Sequence, residues 1–436
     1  MKPICLFLLP VLLVSDLNAA EPKPGGPNAP AALAPLSLEA LVAEVLEKNP
    51  ELAFYRAEIA AAKGEQRTAT ALPNPELATT LGAKRATDAA GNVLGAGTAW
   101  SVALQQPFEW PGRLALRKAI ASRQVSLAEL GLENFSAALA ARTRTLAFGV
   151  FVAQEQEQAS VEIAQRLQAV AEVVVQRDPA GVAPRLEQRI LEAHALVARK
   201  RAVDAQVGAR NVLIELNQLR GQPLGQAVRI VEPQRKFALP PLYDVVLAVT
   251  RTNNFELRQR VAELEQQGFQ VDLAKNERYP AVTVGPFITG ERAGDRERTI
   301  GVGVSFPLPL WNRNAGNIEV AKARREQAQT SLDVAQREVE RKVTEALLQY
   351  AARANELART PPTAAAEFRE AADLADRHYR LGAVPLATYI EMQKQYLEAL
   401  EALLQTKQGA LEASEQLHLL TGRSLNSLTE IKPAKD

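Results

Sequence analysis

The feature that most constrains this chain is that its sequence pattern is written twice. Leu216, Leu219, Gly221 and Leu224 recur with the same spacing as Leu417, Leu420, Gly422 and Leu425, 201 residues further on. Gly181 and Pro184 return at that offset as Gly382 and Pro385, and Pro107 returns as Pro307. Asn49, Glu51 and Leu52 return as Asn254, Glu256 and Leu257. Landmarks in one order, at offsets of 200 to 205, mark a duplication. The halves run over 37–224 and 242–425, with a linker at 225–241, a flexible stretch at 21–36 and a tail at 426–436. Whatever one half folds into, the other must fold into as well.

Each half reads in the same order. A helix pair comes first, over Ser37–Glu47 and Pro50–Leu72, matched by Leu242–Thr250 and Phe255–Glu277. Ser37 is placed to accept a hydrogen bond from the opening turn, and Pro50 suits a first turn, where its missing N–H costs nothing. Two short strands follow. Ile300, Val302, Val304 and Phe306 alternate with Gly301, Gly303 and Ser305, a period of two with one greasy and one small face. Trp100, Val102 and Leu104 alternate likewise with Ser101, Ala103 and Gln105. Their partners are Glu76–Lys84 and Ala281–Thr289, joined by watery loops at Asp88–Gly97 and Gly290–Arg298.

A very long helical hairpin completes each half. No proline stands between Pro111 and Pro179, and some 65 helical residues extend about 100 Å. The return runs over Arg185–Arg220. In the second half the outward run is Asn317–His378, interrupted at Pro361 and Pro362, and the return is Leu386–Leu420. Ala328, Leu332, Ala335, Val339, Val343, Ala346 and Tyr350 step by three or four, as do Met392, Tyr396, Leu400 and Leu403, which is coiled-coil spacing.

The start of the chain reads as an export signal over 1–20. Lys2 precedes an apolar run from Ile4 to Val14, too short to span a bilayer, and the cut falls after Ala19 or Ala20. Cys5, the only cysteine, lies inside that signal, so no disulfide is expected. No run of 18 apolar residues follows, and no transmembrane helix is expected. The 51 basic and 50 acidic residues cancel, which excludes nucleic acid as a partner.

Four strands cannot close a membrane barrel, since the smallest have eight. Open edges in lipid would leave backbone groups unpaired. The chain must therefore pool strands with copies of itself, in a ring of small copy number; three copies give twelve strands.

The whole mature length resembles the TolC-type outer-membrane efflux factors. Pro107 and Pro307 at the strand ends, the hairpin tips at Gly181–Glu187 and Tyr379–Pro385, and the closing Leu-Gly-Leu segments carry the resemblance. Asn49 to Leu52, Phe108 to Arg113 and Gly181 to Pro184 look most like the heavy-metal cation (cobalt-zinc-cadmium) group. The resemblance implies an α+β membrane protein: a homotrimer with a 12-stranded outer-membrane β-barrel, four strands per chain, and a long periplasmic α-helical barrel. Its implied partners are a periplasmic adaptor (membrane fusion) protein, an inner-membrane proton-driven pump and outer-membrane lipid. The implied function is passive conduction of divalent heavy-metal cations, the alternative being a multidrug or other small-molecule duct of the same fold.

The resemblance points to Gly181, Val182, Pro184, Leu186, Tyr379, Gly382, Val384 and Pro385 as adaptor-docking tips. Asp178, Arg185, Glu187, Arg380 and Glu391 are the candidate charges of a periplasmic gate. Relatives carry an Arg shortly after the second-tip glycine and an acid further on, where this chain has Ala383, Val384 and Pro385, then Thr388. Trp100, Phe108, Trp110, Phe306 and Trp311 are the candidate membrane-boundary aromatics. His194, His378 and His418 are scattered without ligand spacing, so no metal site or cofactor is expected. The chain also shows no HExxH, phosphate-binding loop or nucleophile with a placed histidine, so no catalytic residues are expected. A periplasmic adaptor would need a compact β-rich domain around one hairpin, and a plain coiled-coil protein would not need the greasy strands.

Overall fold

The computed structural model describes residues 35–177, 182–231 and 237–424; the expected signal, the whole expected tail, Asp178 and Gly181 lie outside the described residues. The first half runs α1 (Leu38–Lys48), α2 (Glu51–Ala69), β1 (Glu76–Thr87), β2 (Val93–Phe108), α3 (Arg113–Arg177) and α4 (Val182–Arg220). The second runs α5 (Tyr243–Asn253), α6 (Phe255–Asn276), β3 (Val282–Ala293), β4 (Asp295–Ser305), α7 (Ala315–Arg359), α8 (Ala364–Arg380) and α9 (Leu386–Thr421). The break between α7 and α8 falls at the two prolines, which lack the N–H that would continue the helix.

Caps fix where the helices begin. The Ser37 hydroxyl accepts from the Ala40 N–H at 3.2 Å. Asparagine recurs at the corner of each helix pair because it serves two helices at once. Asn49 Oδ1 accepts from the Glu51 N–H at 2.9 Å while its amide donates to the Leu219 carbonyl at 3.2 Å. Asn254 Oδ1 accepts from the Leu257 N–H at 3.1 Å while its amide donates to the Leu420 carbonyl at 2.9 Å. Each side chain is buried. It ties a helix start to the end of a return helix, where carbonyls lack intrahelical partners.

The apolar seams then hold the hairpins side by side. Phe148, Phe151 and Ile163 of α3 share one core with Leu191 of α4, Ala372 of α8, and Tyr389, Leu400 and Leu411 of α9. Val246, Leu257, Val339, Val343, Tyr350 and Leu417 form a second core among α5, α6, α7 and α9. On α7 the expected seam is buried from Leu332 to Tyr350, with Ala328 half-buried. On α9 the expectation needs correcting: Gln393 and Leu404 are buried, whereas Met392 and Leu403 are half-buried. α9 packs against α3, α7 and α8, so its buried stripe is broader than a two-helix seam. The Gln393 amide is accommodated there by donating to the Ala372 carbonyl at 2.7 Å.

Part of Arg113–Glu172, within α3, is long and apolar enough to cross a membrane, but its most apolar stretch is 56% buried inside the protein. Ala147, Phe148, Val150, Phe151 and Val152 are all buried there, so this apolarity builds a protein core. The N-terminal stretch and the linker also meet. Leu36 N–H donates to the Arg229 carbonyl at 2.9 Å, and the Val231 N–H donates to the Leu36 carbonyl at 3.1 Å.

The four strands form one antiparallel sheet in the order β1-β2-β3-β4. The central pairing, β2 with β3, joins the two halves. Both hairpins run further than expected: Val93–Gly97 is strand beyond a turn at 88–92, and Gly290–Arg298 is strand apart from the turn at Gly294. The reason lies in the charges. Glu291, Asp295 and Glu297 fall on one face while Arg292, Arg296 and Arg298 fall on the other, so a segment that reads as a polar loop satisfies a period of two. Gly294, at φ 102°, makes the tight reversal that a residue with a Cβ would resist.

Candidate functional surfaces: sheet faces and hairpin tips

Register assigns every strand residue to a face. One face carries Leu77, Leu81, Trp100, Val102, Leu104, Ile288, Ile300, Val302 and Val304, through pairs such as Leu81↔Trp100, Val102↔Ile288 and Ile288↔Ile300. These side chains are open in the single chain, with Leu81 85% and Ile300 74% exposed. The other face carries Thr80, Ala99, Ser101, Ala103, Thr289, Thr299, Gly301 and Gly303, with Phe287 as a large apolar side chain among them. Thr80 and Ser101 hydroxyls meet at 2.5 Å, and Lys84 pairs there with Glu291 while reaching Glu297 at 3.8 Å. Among the described residues, the outer edges of β1 and β4 have no partner strand.

The aromatic candidates divide between the two ends of the apolar face. Phe108 and Trp110 stand at the helix-side end of β2, and Phe306 and Trp311 just beyond β4. Trp110 stacks on Tyr279 at 4.7 Å, and Trp311 is 94% exposed. Trp100 lies eight residues up β2 from Phe108, about 27 Å along the strand. It covers Gly290, where an added Cβ would come within 2.5 Å of the indole. Grouping Trp100 with the others in one belt thus joins two levels of the sheet.

At the second hairpin tip, Gly382 adopts φ 75°. The Ala383 N–H donates to the His378 carbonyl at 2.8 Å and the Gly382 N–H to the Tyr379 carbonyl at 2.9 Å, closing α8 by a Schellman motif. Val384 and Pro385 then lead into α9, and Tyr379 stacks on Tyr389 at 4.9 Å. Burial, joined by the charge of Asp376, pushes the Tyr389 phenol well above its ordinary range. At the first tip Val182, Pro184 and Arg185 fall in the opening turns of α4, and Leu186 and Glu187 are exposed.

Of the charges expected at a gate, Asp178 and the Arg185 side chain lie outside the described part of the structure, and Glu187 is exposed. Arg380 pairs with Asp376 of its own helix at 2.9 Å, and Glu391 accepts from Gln395 at 2.7 Å. Four others bridge the hairpins instead. Arg166 of α3 pairs with Glu162 and reaches Asp373 of α8 at 2.5 Å, while Arg369 of α8 reaches Glu162 at 2.8 Å. Burial alone would lower the Arg166 pKa; Asp373 and Glu162 outweigh it and raise it. Sequence spacing within one helix could not find this cluster, since its members lie some 200 residues apart.

Among the described residues, no group of three or more His, Cys, Asp or Glu could hold a metal ion. An open groove of about 1070 Å³ runs along α3, α6 and α7, lined by charges such as Arg123 and Glu133. It is a furrow between helices, with Arg123 to Glu265 at 3.0 Å and Arg258 to Glu133 at 3.3 Å spanning it.

Comparison with known proteins agrees with this geometry. Residues 246–423 match the family of outer membrane efflux proteins. The chain is 25% identical over 305 residues to the cobalt-zinc-cadmium resistance protein CzcC of Cupriavidus metallidurans, covering 68% of this chain and 69% of that one. Its fold is similar to a membrane protein from Pseudomonas aeruginosa, with TM-score 0.72, 18% identity, and coverage of 92% of this chain and 97% of that one. The open state of the Neisseria gonorrhoeae MtrE outer membrane channel gives TM-score 0.68 at 16% identity, covering 90% and 91%. The family signature lies within the second half of the chain, and the fold of these solved outer-membrane proteins extends over nearly all of its length.

Proposed function

We propose that this chain is the outer-membrane member of a tripartite efflux system, working as a homotrimer with a periplasmic adaptor and an inner-membrane proton-driven pump. One observation carries the reading: a four-stranded sheet with an exposed apolar face, a small and polar opposite face, and two open edges. Apolar side chains exposed on this scale belong in lipid, and a sheet in lipid must close. Three copies supply twelve strands, an even number within the range of such barrels. The polar face then lines a wet pore, with Phe108, Trp110, Phe306 and Trp311 at the periplasmic boundary and Trp100 toward the outer one.

The tips around Gly181 and Gly382 are the adaptor-docking ends in this reading. A cysteine at Ala383 should cross-link to an adaptor in cells, while labelling of that cysteine from outside intact cells would reverse the topology. The cargo best supported is a range of small organic molecules, because the fold is shared across several outer membrane channels and the inner sheet face is a generally polar wall. The second reading, divalent heavy-metal cations, leans on the 25% identity to a cobalt-zinc-cadmium resistance protein.

Two measurements test the proposal. The detergent-extracted protein should have the mass of three chains, and a stable monomer retaining the whole sheet would refute the trimer. Deleting the protein in its host should sensitise cells to organic drugs. Lost tolerance confined to cobalt, zinc and cadmium would instead establish the metal reading.

A further inference from the structure

We propose that Arg85, Arg292, Arg296 and Arg298 form a docking surface for the phosphates of outer-leaflet glycolipid, at the outer rim of the apolar sheet face. The inference rests on the membrane reading above. Register places the four arginines on that face: Arg85 is paired with Ala96, Arg292 with Thr98 and Arg296, and Arg298 with Gly290, which is itself paired with Trp100. All four are exposed.

The charges of these hairpins are sorted by sign. Glu291, Asp295 and Glu297 take the alternate positions and face the other way, where Glu291 and Glu297 meet Lys84. Among the described residues the four arginines have no carboxylate partner. A solvated polar hairpin with no ligand to meet would gain from pairing acids and bases across one face. Here the alternation withholds every acid from the arginine side.

The position of the patch identifies what it meets. The apolar face begins at the Phe108 level and reaches Trp100 eight residues later, about 27 Å along a strand. A strand tilt of about 35–45° turns this into a height of about 19–22 Å, a few Å short of a barrel's apolar band of about 25 Å. Arg298 shares the Trp100 row, and Arg292 and Arg296 lie one row beyond. Arg85, paired with Ala96, lies two rows beyond. A ligand covering this surface must therefore be apolar below and anionic above, as a phosphorylated lipid is. Guanidinium suits that role, because its planar fork binds phosphate oxygens in pairs and stays charged near an interface. β1 and β4 are the two sheet edges, so closing the ring sets the β4 arginines beside the next copy's β1 strand, which carries Arg85. The patches would then join into a belt.

The test uses the full-length protein in non-ionic detergent, titrated with bis-phosphorylated lipid A, dephosphorylated lipid A or inorganic phosphate, with bound lipid read by native mass spectrometry. The phosphorylated lipid should bind, and R85Q/R292Q/R296Q/R298Q should weaken it by roughly tenfold or more. K84Q, on the opposite face, should leave it unchanged. Dephosphorylated lipid should bind as weakly to the native protein as phosphorylated lipid does to the quadruple variant. Equal binding by the quadruple variant, or by dephosphorylated lipid, would overturn the proposal. Competition by inorganic phosphate at matched concentration would also overturn it, by showing a site for free anions. If the quadruple variant fails to assemble, R292Q/R296Q is read instead, together with the salt dependence of native binding. Undiminished binding by that pair, or binding indifferent to salt, refutes the proposal. Membrane fractionation of the same proteins keeps the two readings apart: outer-membrane location with unchanged lipid binding fails only the arginine proposal, whereas absence from that membrane fails the channel reading.

Discussion

Replacing Asn254 by Ala tests whether the repeated asparagine holds the helix pair to the end of its hairpin. The substitution removes the cap accepted from the Leu257 N–H and the bond donated to the Leu420 carbonyl. Each is worth about 1 kcal/mol net, and leaving a buried carbonyl without its partner adds about 1 kcal/mol or more, so the loss is about 2–4 kcal/mol per chain. An unfolding entropy of about 2.1 cal/mol/K per residue gives about 0.9 kcal/mol/K for this length. The thermal midpoint of the purified protein, followed by circular dichroism, should therefore fall by about 2–4 °C. Asn254→Ser separates the two contributions, because serine caps nearly as well but is too short to replace the amide. It should recover about half of the loss. Asn49→Ala, at the matching corner, should cost about as much, and the double variant should be additive because the two corners share no partner. A midpoint for Asn254→Ala within about 1 °C of the parent would refute the reasoning. Full recovery by Asn254→Ser would show that the Leu420 bond contributes nothing.

Arg144 meets the almost fully buried Glu415 at 3.1 Å and Glu39 at 3.0 Å. Arg144→Met should destabilise by about 3–5 kcal/mol, and adding Glu415→Leu should restore most of that, both read from the thermal midpoint. Burial alone would raise the Glu44 pKa, but hydrogen bonds from Arg220, Lys48 and Gln222 outweigh it, and the net shift is downward from 4.5. A depressed pKa stabilises the fold above the unfolded value and is lost as pH falls through the folded one. Glu44→Gln should therefore be less stable than the parent at pH 7, with the difference shrinking below about pH 4.5; a pH-independent difference would reject this origin. Replacing His194, His378 and His418 together should leave export and trimer yield unchanged, and loss of metal tolerance alone would reveal a ligand role.

The parts of this fold legible in the sequence are those with a period. The α7 seam was readable because Leu332, Val339 and Val343 face one narrow groove, and the strand faces because Ile300, Val302 and Val304 alternate strictly with small residues. The α9 seam was less readable, since three helices bury three sides of it and Gln393 can be buried once Ala372 offers a carbonyl. The hairpin ends were misread as loops for an instructive reason. Composition around Gly290–Arg298 is that of a loop, and only the order of charges is that of a strand. The bridge from Arg166 and Arg369 to Asp373 and Glu162 was hidden for a different reason. Its members come from α3 and α8, and their meeting depends on how two hairpins of about 100 Å are set side by side.

The duplication explains why so much followed from so little. A half-sheet of two strands has an edge on each side, and a hairpin that long has no compact domain to bury it. Each half thus leaves the same two problems unsolved. Pairing β2 with β3 solves the first between the halves and moves the unpaired edges out to β1 and β4. Packing α3 against α6 and α9 does the same for the helices. What remains open after both steps is again one pair of edges and one apolar face, now on a unit twice as large. The contact that joined the halves within a chain is then the contact available for joining chain to chain. Asymmetry between the halves, such as the proline break that splits α7 from α8 but spares α3, lies mainly in the helices. The same asymmetry reaches the strands only in part: β1 and β3 have 12 residues each, whereas β2 has 16 and β4 has 11.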